Sequence, residues 1–425
     1  MSARRAAGGA SSSIWTPTFI SLCIVGIFQV TGQSMMNTVI PVYTRTLGAS
    51  GSVIGMIVGS FAITALCARP IFTPAFDSFP KKPIFFAAEL LIVVCSFLYA
   101  VASTVPAMFV VRMLHGLAMG CTGPLALALA SECLPPDHRA SGISIFSLSQ
   151  ALGQAVGPAT GLWLVGVIGY AWTFCISGFS MVVAALLVLT IKEPRRENRP
   201  KYKIALNRMF AAGAVTPAIL TAICSASNSS IMSFLAIYGT LMGIAGIGLY
   251  FTVHAIFLII FRPFCGRLAE KLGYAKVMVP SLILYACTFL LISRSTQLWQ
   301  FLVIAVLTAA GYGVCSPLFQ SIAMSSVPNE RSGAASATNF TGLDTAQLIG
   351  PTFAGFLADR FYGQTGSEVA GYSSMYVAIA GVMACGVVLY LLLYKRMQRT
   401  MDKVAAEEAA ASSGQGRMAA EKAGE

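Results

Sequence analysis

The sequence predicts an all-α membrane protein of twelve transmembrane helices, arranged as two pseudo-symmetric six-helix bundles. Three observations predict it. Of 425 residues, 56% are hydrophobic and 10% charged, with a mean hydropathy of +0.75. A soluble domain carries about 25% charged residues, so the solvent for most of this chain is lipid. The apolar runs, such as 90–101 and 181–191, are continuous rather than alternating. Helices and closed barrels both satisfy their own backbone in a bilayer, and continuous runs select helices. Finally, short patterns recur at an offset of 192–193 residues.

About 20 apolar residues cross the hydrocarbon core. On that basis the spans fall near 15–40, 52–73, 84–103, 106–130, 142–167, 171–191, 210–238, 246–264, 277–293, 299–323, 335–358 and 374–394. The parts are then a tail (1–14), an N-terminal bundle (15–191), a linker (192–209), a C-terminal bundle (210–394) and a second tail (395–425). The second tail is rich in Ala, Glu, Ser and Gly, which predicts a disordered or weakly helical segment. Arg4 and Arg5 precede an apolar run that reaches past Ile40, too long for a secretion signal, so this run is the first span.

The formal charge of +12 is placed for topology rather than for nucleic acid. Seven basic and two acidic residues lie between Lys192 and Arg208. With the N-terminus in the cytoplasm, Lys81, Lys82, Arg139, the linker, Lys271, Lys276, Arg331 and the cluster Lys395–Arg399 all fall on the cytoplasmic side, and only Arg45, Arg294 and Arg360 fall outside. That is the positive-inside distribution. The expectation is a multi-pass protein of the cytoplasmic (inner) membrane with both termini inside. The eleven cysteines are scattered without paired spacing and read as small packing residues, not as a disulfide or metal framework.

The repeat is the most informative feature. Arg69-Pro70-x-x-Thr73-x-x-x-Asp77 returns as Arg262-Pro263-x-x-Gly266-x-x-x-Glu270. Gln154 and Gly157-Pro158 return as Gln347 and Gly350-Pro351, and Pro136-x-x-Arg139 as Pro328-x-x-Arg331. Duplicated halves with a site between them are a common construction of secondary transporters. A receptor or an embedded enzyme gives no reason to expect it.

These residues closely resemble the major facilitator superfamily over residues 15–394. The segment from Thr73 to Lys82 is similar to that family's G-x-x-x-D-x-x-G-x-K/R loop, with Thr73 and Pro80 replacing its glycines, and Gly266 to Lys276 is nearer the pattern. Arg112-x-x-His115-Gly116-x-x-x-Gly120 resembles the fourth-helix motif. Gly153-x-x-x-Gly157-Pro158-x-x-Gly161 and the stretch Asn37–Ser50 resemble the drug:proton antiporter branch. The resemblance implies proton-coupled efflux of a small organic solute by alternating access. It implies no catalysis, no cofactor beyond the proton gradient, and a monomer in the bilayer. An uptake permease for a sugar or other metabolite, and a transport-inactive sensor, are the alternatives.

Several residues carry the chemistry. Arg69, Asp77, Lys81, Lys82, Glu132 and Arg139, with Arg262, Gly266 and Glu270 in the second copy, form a candidate cytoplasmic gate whose charge pairs latch the halves; the plainer reading is solvated loop charge. Gly153, Gly157 and Gly161 make a bare helical stripe, and Pro158 bends the span; with Gly350 and Pro351 they form a packing hinge or simply a tight contact. Arg112 lies roughly 9 Å inside its span and must pair, face water or snorkel outward; by resemblance it influences proton coupling.

Asp344 lies about 14 Å along its helix, the one acid placed near mid-membrane, with Thr341 and Gln347 on its face. Isolated in low dielectric, a carboxylate holds its proton until water is admitted, as a proton carrier requires; a substrate-binding polar group is the equal alternative. Glu89 is a second carrier candidate, better suited to a structural ion pair. Gln29, Gln33, Asn37, Gln150, Gln154, Asn228, Asn339 and Gln347 are candidate cavity-lining amides, since amides facing lipid are costly. Helix-to-helix hydrogen bonding is the alternative for some of them. These neutral donors and acceptors suggest a polar or amphipathic solute; many exporters of lipophilic cations in the family it resembles carry acids in the first span, and this sequence has none there. His254 is either a titrating group or a hydrogen-bonded packing residue. No phosphate loop or nucleotide-binding motif is present.

Overall fold

The computed structural model describes residues 14–135, 139–193, 202, 210–328 and 332–423. Eleven helices account for the chain among the described residues: α1 (Pro17–Thr46), α2 (Gly51–Ser78), α3 (Lys81–Val101), α4 (Val105–Glu132), α5 (Arg139–Val188), α6 (Ala212–Leu241), α7 (Leu249–Leu272), α8 (Tyr274–Arg294), α9 (Leu298–Ser325), α10 (Ser332–Thr365) and α11 (Glu368–Ala423). The starts obey ordinary capping chemistry. Thr16, Ser50 and Thr104 accept from the backbone N–H three residues on, and Pro17 stands at the first position of α1.

Each of the twelve expected spans lies on one of these helices. α5 carries two, divided at Gly169, whose φ of 79° breaks the helical path; its apolar stretch of 44 residues is long enough for two crossings. Among the described residues, nine helices are long and apolar enough to cross on composition, and α7 contributes the shorter apolar stretch Leu249–Cys265. α10 falls below that hydropathy because it carries Asn339, Asp344 and Gln347 inside the bilayer. The polar residues that weaken it as a span are the ones of functional interest.

α1–α5 pack among themselves, as do α6–α11, and the two groups meet along α2–α10, α5–α7 and α1–α6. With twelve crossings, the start of α1 and the end of the last crossing, on α11, lie on the same side of the bundle, called here the termini side. The far side is closed. There Asp359 of α10 accepts hydrogen bonds from the backbone N–H groups of Gly51 (2.7 Å) and Ser52 (2.8 Å) and from the Ser52 hydroxyl, so a carboxylate of one half caps the positive N-terminus of a helix in the other. Arg45 pairs with Glu368 across the same gap. Below them Gly55 abuts Pro351, and a Cβ on Gly59 would stand 2.6 Å from the Leu348 carbonyl, so the glycines let α2 lie backbone to backbone on α10. Between α5 and α7, Thr252 donates to the Ala155 carbonyl at 2.8 Å.

Toward the termini the halves part. The large core cluster of the second half recruits Ile54, Val42, Val58 and Leu162 from the first on the far side. The termini-side clusters instead draw on one half each, around Phe19, Phe85 and Leu129 in one and Ala214, Ala323 and Val327 in the other. The result is two bundles closed at the far end and splayed at the end that carries the termini.

One expectation needs correcting. The C-terminal tail, expected to be disordered or weakly helical, continues α11 as helix to Ala423. Its Ala, Glu, Lys and Met content has high helix propensity, and Lys403 stands one turn from Glu407 at 3.8 Å.

Candidate functional site

The site forms where the splay begins. α2 and α10 run antiparallel in contact from Gly51 to Gly59, against Gly355 to Leu348. Beyond that point α2 advances ten residues to Arg69 while α10 retreats only four to Asp344, about 15 Å against about 6 Å of helix rise. The arginine side chain reaches back across the widening gap. Its Nη2 donates to Asp344 Oδ1 at 3.1 Å, and Nε stands 2.9 Å from Oδ2, off the hydrogen-bond direction. The Phe340 ring lies 5.2 Å from the guanidinium carbon. Asp344 is buried, 4% exposed, and Arg69 half-buried.

This overturns the isolation expected of Asp344; Arg69, expected among the charge pairs that latch the halves, does pair across them, with Asp344 as its partner. The two make one ion pair joining the halves inside the bilayer. A carboxylate in low dielectric takes the nearest cation that can reach it, and the reach of Arg69 hid that partner from helical spacing.

A second polar centre lies in the first half. Arg112 is buried, and its Nη2 donates to Asn37 Oδ1 at 3.0 Å. Its guanidinium carbon sits 4.9 Å from the Phe61 ring centroid, while Nε and Nη1 are buried without a protein partner. Snorkelling is thereby excluded in this conformation. The Tyr99 hydroxyl lies 3.4 Å from His115 Nδ1 one turn further along α4.

The amides fall into two groups. Asn339 accepts from the Thr221 hydroxyl at 3.0 Å, a bond between α10 and α6, so for this residue the helix-to-helix alternative holds. Gln150 packs on Gly26 of α1. Gln29 is buried, and Gln33 and Asn228 are half-buried; Asn228 Oδ1 and the Ser225 hydroxyl on the same α6 face have no partner. Gln154 and Gln347 are exposed, on the opposite side of their helices from most of the exposed apolar residues. On α10, Phe340 and Gln347 share one face and Ile349, Phe353 and Phe356 the other; on α5, Ser147 and Gln154 oppose Leu152, Val156 and Trp163. The apolar faces suit lipid. Phe340, lying on Arg69, marks its side of α10 as the one turned between the halves.

Three further expectations change. Lys81 does pair with Glu132, but from α3 to α4 within one half, so this pair cannot latch the halves. Lys82 donates to the Leu189 carbonyl and, through its backbone, to Glu193, also within that half. Glu89, expected in an ion pair, is fully buried with neither oxygen hydrogen-bonded. His254 packs parallel to Tyr250 at 6.1 Å, with Nε2 unpartnered rather than hydrogen-bonded. Arg262 is exposed, Gly266 lies on α7, and the side chains of Asp77, Arg139 and Glu270 lie outside the described residues. The glycine stripe meets α1: Gly153 and Gly157 face the Ile27 and Thr31 carbonyls, and Gly161 faces Met35. Gly350 faces Ala226 and Ser229 of α6, and the Pro351 carbonyl faces Gly55.

The sequence model of the Major Facilitator Superfamily matches residues 22–246 and again 218–421, two overlapping matches that together span both halves. The chain belongs to that superfamily. Among curated members of the Major Facilitator Superfamily, it is 25% identical over 401 residues to an uncharacterized MFS-type transporter of Methanocaldococcus jannaschii, covering 91% of this chain and 97% of the other. It is 23% identical over 367 residues to the quinolone resistance protein NorA of Staphylococcus aureus, covering 83% and 91%. Among solved structures, a bacterial homologue of the human lysosomal transporter Spinster, inward-facing and unoccupied, superposes with a TM-score of 0.76 at 16% identity, covering 91% and 97%. The nucleoside transporter NupG superposes with a TM-score of 0.71 at 15% identity, covering 89% and 99%. The protein is therefore a multi-pass membrane transporter of the superfamily's fold, and not an enzyme.

Sequence reasoning missed Asp359, Glu368 and the aromatic partners Phe61 and Phe340. Of these, Asp359 left a faint signal, an acid near the far end of a span whose opposite number, Gly51, begins a helix.

Proposed function

We propose that this transporter is a proton-coupled exporter of a small polar or amphipathic organic solute, with its termini in the cytoplasm and its splayed side open to it. The observation that carries the reading is the Arg69–Asp344 pair, a buried carboxylate whose counter-ion belongs to the other half. A proton on Asp344 removes the charge that holds Arg69. Protonation therefore changes the energy of separating α2 from α10, and separation of the halves is the transport motion of such folds. The unpartnered Arg112 nitrogens offer cationic donors, and the Ser225 hydroxyl and Asn228 Oδ1 a neutral donor and acceptor, to a solute between the halves, and the relatives named for quinolone resistance favour outward flux. No bound cofactor enters this scheme; the proton gradient is the energy source.

The test begins with a growth screen of a deletion strain against toxic compounds, followed by flux of the compound found. In cells, export should collapse with an uncoupler. In proteoliposomes with an imposed pH gradient, Asp344→Asn should abolish uphill movement and leave downhill exchange. A steady state indifferent to the uncoupler removes proton coupling, concentrative activity in Asp344→Asn removes Asp344 as the coupling group, and inward accumulation identifies an uptake permease instead.

A further inference from the structure

We infer that the termini-side end of the second half holds a site for an anionic phospholipid, its phosphate seated among Lys276, Lys395 and Arg399. A cavity of about 490 Å³ opens there between the α7–α8 turn and α11, walled by these three cations together with Tyr274, Tyr394 and Gln398. Among the described residues, no acid lines it and none of the three cations is in an ion pair; Asp402, the next acid along α11, stands outside the wall. Cations placed only to fix topology would spread over the loops. Here three, from two separate helices, face one concavity.

The wall is a defined one. The Tyr274 hydroxyl lies 3.1 Å from Ser321 Oγ, and Tyr394 packs on Tyr390 at 6.3 Å, so both rings are positioned by neighbours. Tyrosines at this depth present an apolar body and a polar tip, as at a membrane boundary. α8 starts from Gly273, at φ +85°, with no side-chain cap. Its first N–H groups add donors to the same anion.

What selects a lipid over a soluble phosphate is the order of residues along the helix faces. On α11, exposed Val388 and Leu392, the latter 73% exposed, lie on the face that continues into Lys395 and Arg399. On α8, exposed Ile283 and Leu290 lie on the face that begins at Lys276. At steps of three, four and seven residues each face runs from apolar, bilayer-exposed side chains to a cation at the rim. α8 and α11 are packed neighbours. Two adjoining apolar tracks ending in one basic cavity match the two acyl chains and charged head of a phospholipid, the pattern by which basic pockets between membrane helices hold anionic lipids. The inference is independent of the direction of flux and of Asp344.

Native mass spectrometry of the full-length protein, released from detergent with defined lipids, tests it. The probes are dioleoyl phosphatidylglycerol, dioleoyl phosphatidylcholine and glycerol 3-phosphate. The expected result is a preference for phosphatidylglycerol over phosphatidylcholine. Replacing Lys276, Lys395 and Arg399 together by Gln should reduce that preference about tenfold or more, since each cation near an anionic lipid is worth roughly a fivefold change. Replacing Lys192, Arg294 and Lys403 by Gln should leave it in place. Equal binding of the two lipids, or a preference retained in the first triple variant, overturns the site. Displacement of the lipid by glycerol 3-phosphate at equal concentration overturns the lipid assignment in favour of a soluble phosphate. Arg399→Gln alone, expected to give a partial loss, keeps the test decisive should the triple variant fail to fold.

Discussion

Closure at the far side depends on α2 lying against the backbone of α10, and one added methyl group probes it. At Gly59 a Cβ would stand 2.6 Å from the Leu348 carbonyl oxygen and 3.2 Å from Thr352 Oγ1. Ordinary contact begins at 3.4 Å, so the carbonyl is about 0.8 Å too close, and it is backbone, which cannot swing aside as a side chain does. Overpacking of this kind costs about 1–3 kcal/mol. In a state where α2 and α10 have parted on that side, the methyl meets nothing from α10. The cost therefore falls on one conformation, and Gly59→Ala should shift the balance toward the far-side-open state by roughly 5- to 150-fold. Spin labels at positions 46 and 365, exposed at the far ends of α1 and α10, would report it as a longer distance population in a cysteine-depleted background. Gly123→Ala is the control, since nothing lies within 4 Å of its Cβ. An unchanged distance distribution for Gly59→Ala, or an equal change for Gly123→Ala, would refute the idea that this backbone contact holds the far side shut.

Two further outcomes follow from the buried charges. Reversing either member of the mid-membrane pair, Arg69→Asp or Asp344→Arg, should cost about 3–5 kcal/mol by leaving like charges buried together, and the double exchange should recover a large part; thermal unfolding in detergent measures it, and additive losses would show that the two side chains do not act as a pair. Arg112→Lys should lose most transport at equal expression, because an ammonium cannot keep both the Asn37 bond and the flat contact with Phe61; full activity would reduce Arg112 to a point charge.

The span pattern was legible because lipid imposes it directly, and the halves because Arg69-Pro70 and Gly157-Pro158 return in register as Arg262-Pro263 and Gly350-Pro351. The cross-half partnerships were not. Asp359 and Gly51 are 308 residues apart, and Arg69 and Asp344 275. At the end of a span an acid such as Asp359 looks like any solvated charge, and nothing local reveals that a helix N-terminus of the other half faces it. Glu89 misled in the opposite direction. The rule that buried charges find partners pointed to an ion pair, whereas the structure buries this carboxyl with neither oxygen hydrogen-bonded.

The repeat relates the two interfaces, and among the described residues only the one between α2 and α10 carries a charge pair. The duplication relates α2 to α7 and α10 to the first part of α5, so Arg69 corresponds to Arg262 and Asp344 corresponds to Ala151. Both arginines persist, but the acid exists in one copy only. Across α5 and α7 the contact is instead the neutral bond from Thr252 to the Ala155 carbonyl, and Arg262 is left exposed. Under the proton coupling proposed above, a proton would alter the attraction between the halves along α2–α10 without altering it along α5–α7. A pair in both interfaces would require two protonations to release one motion. On that proposal a single pair, set where α2 and α10 begin to diverge, would let one proton act on the separation of the whole bundle.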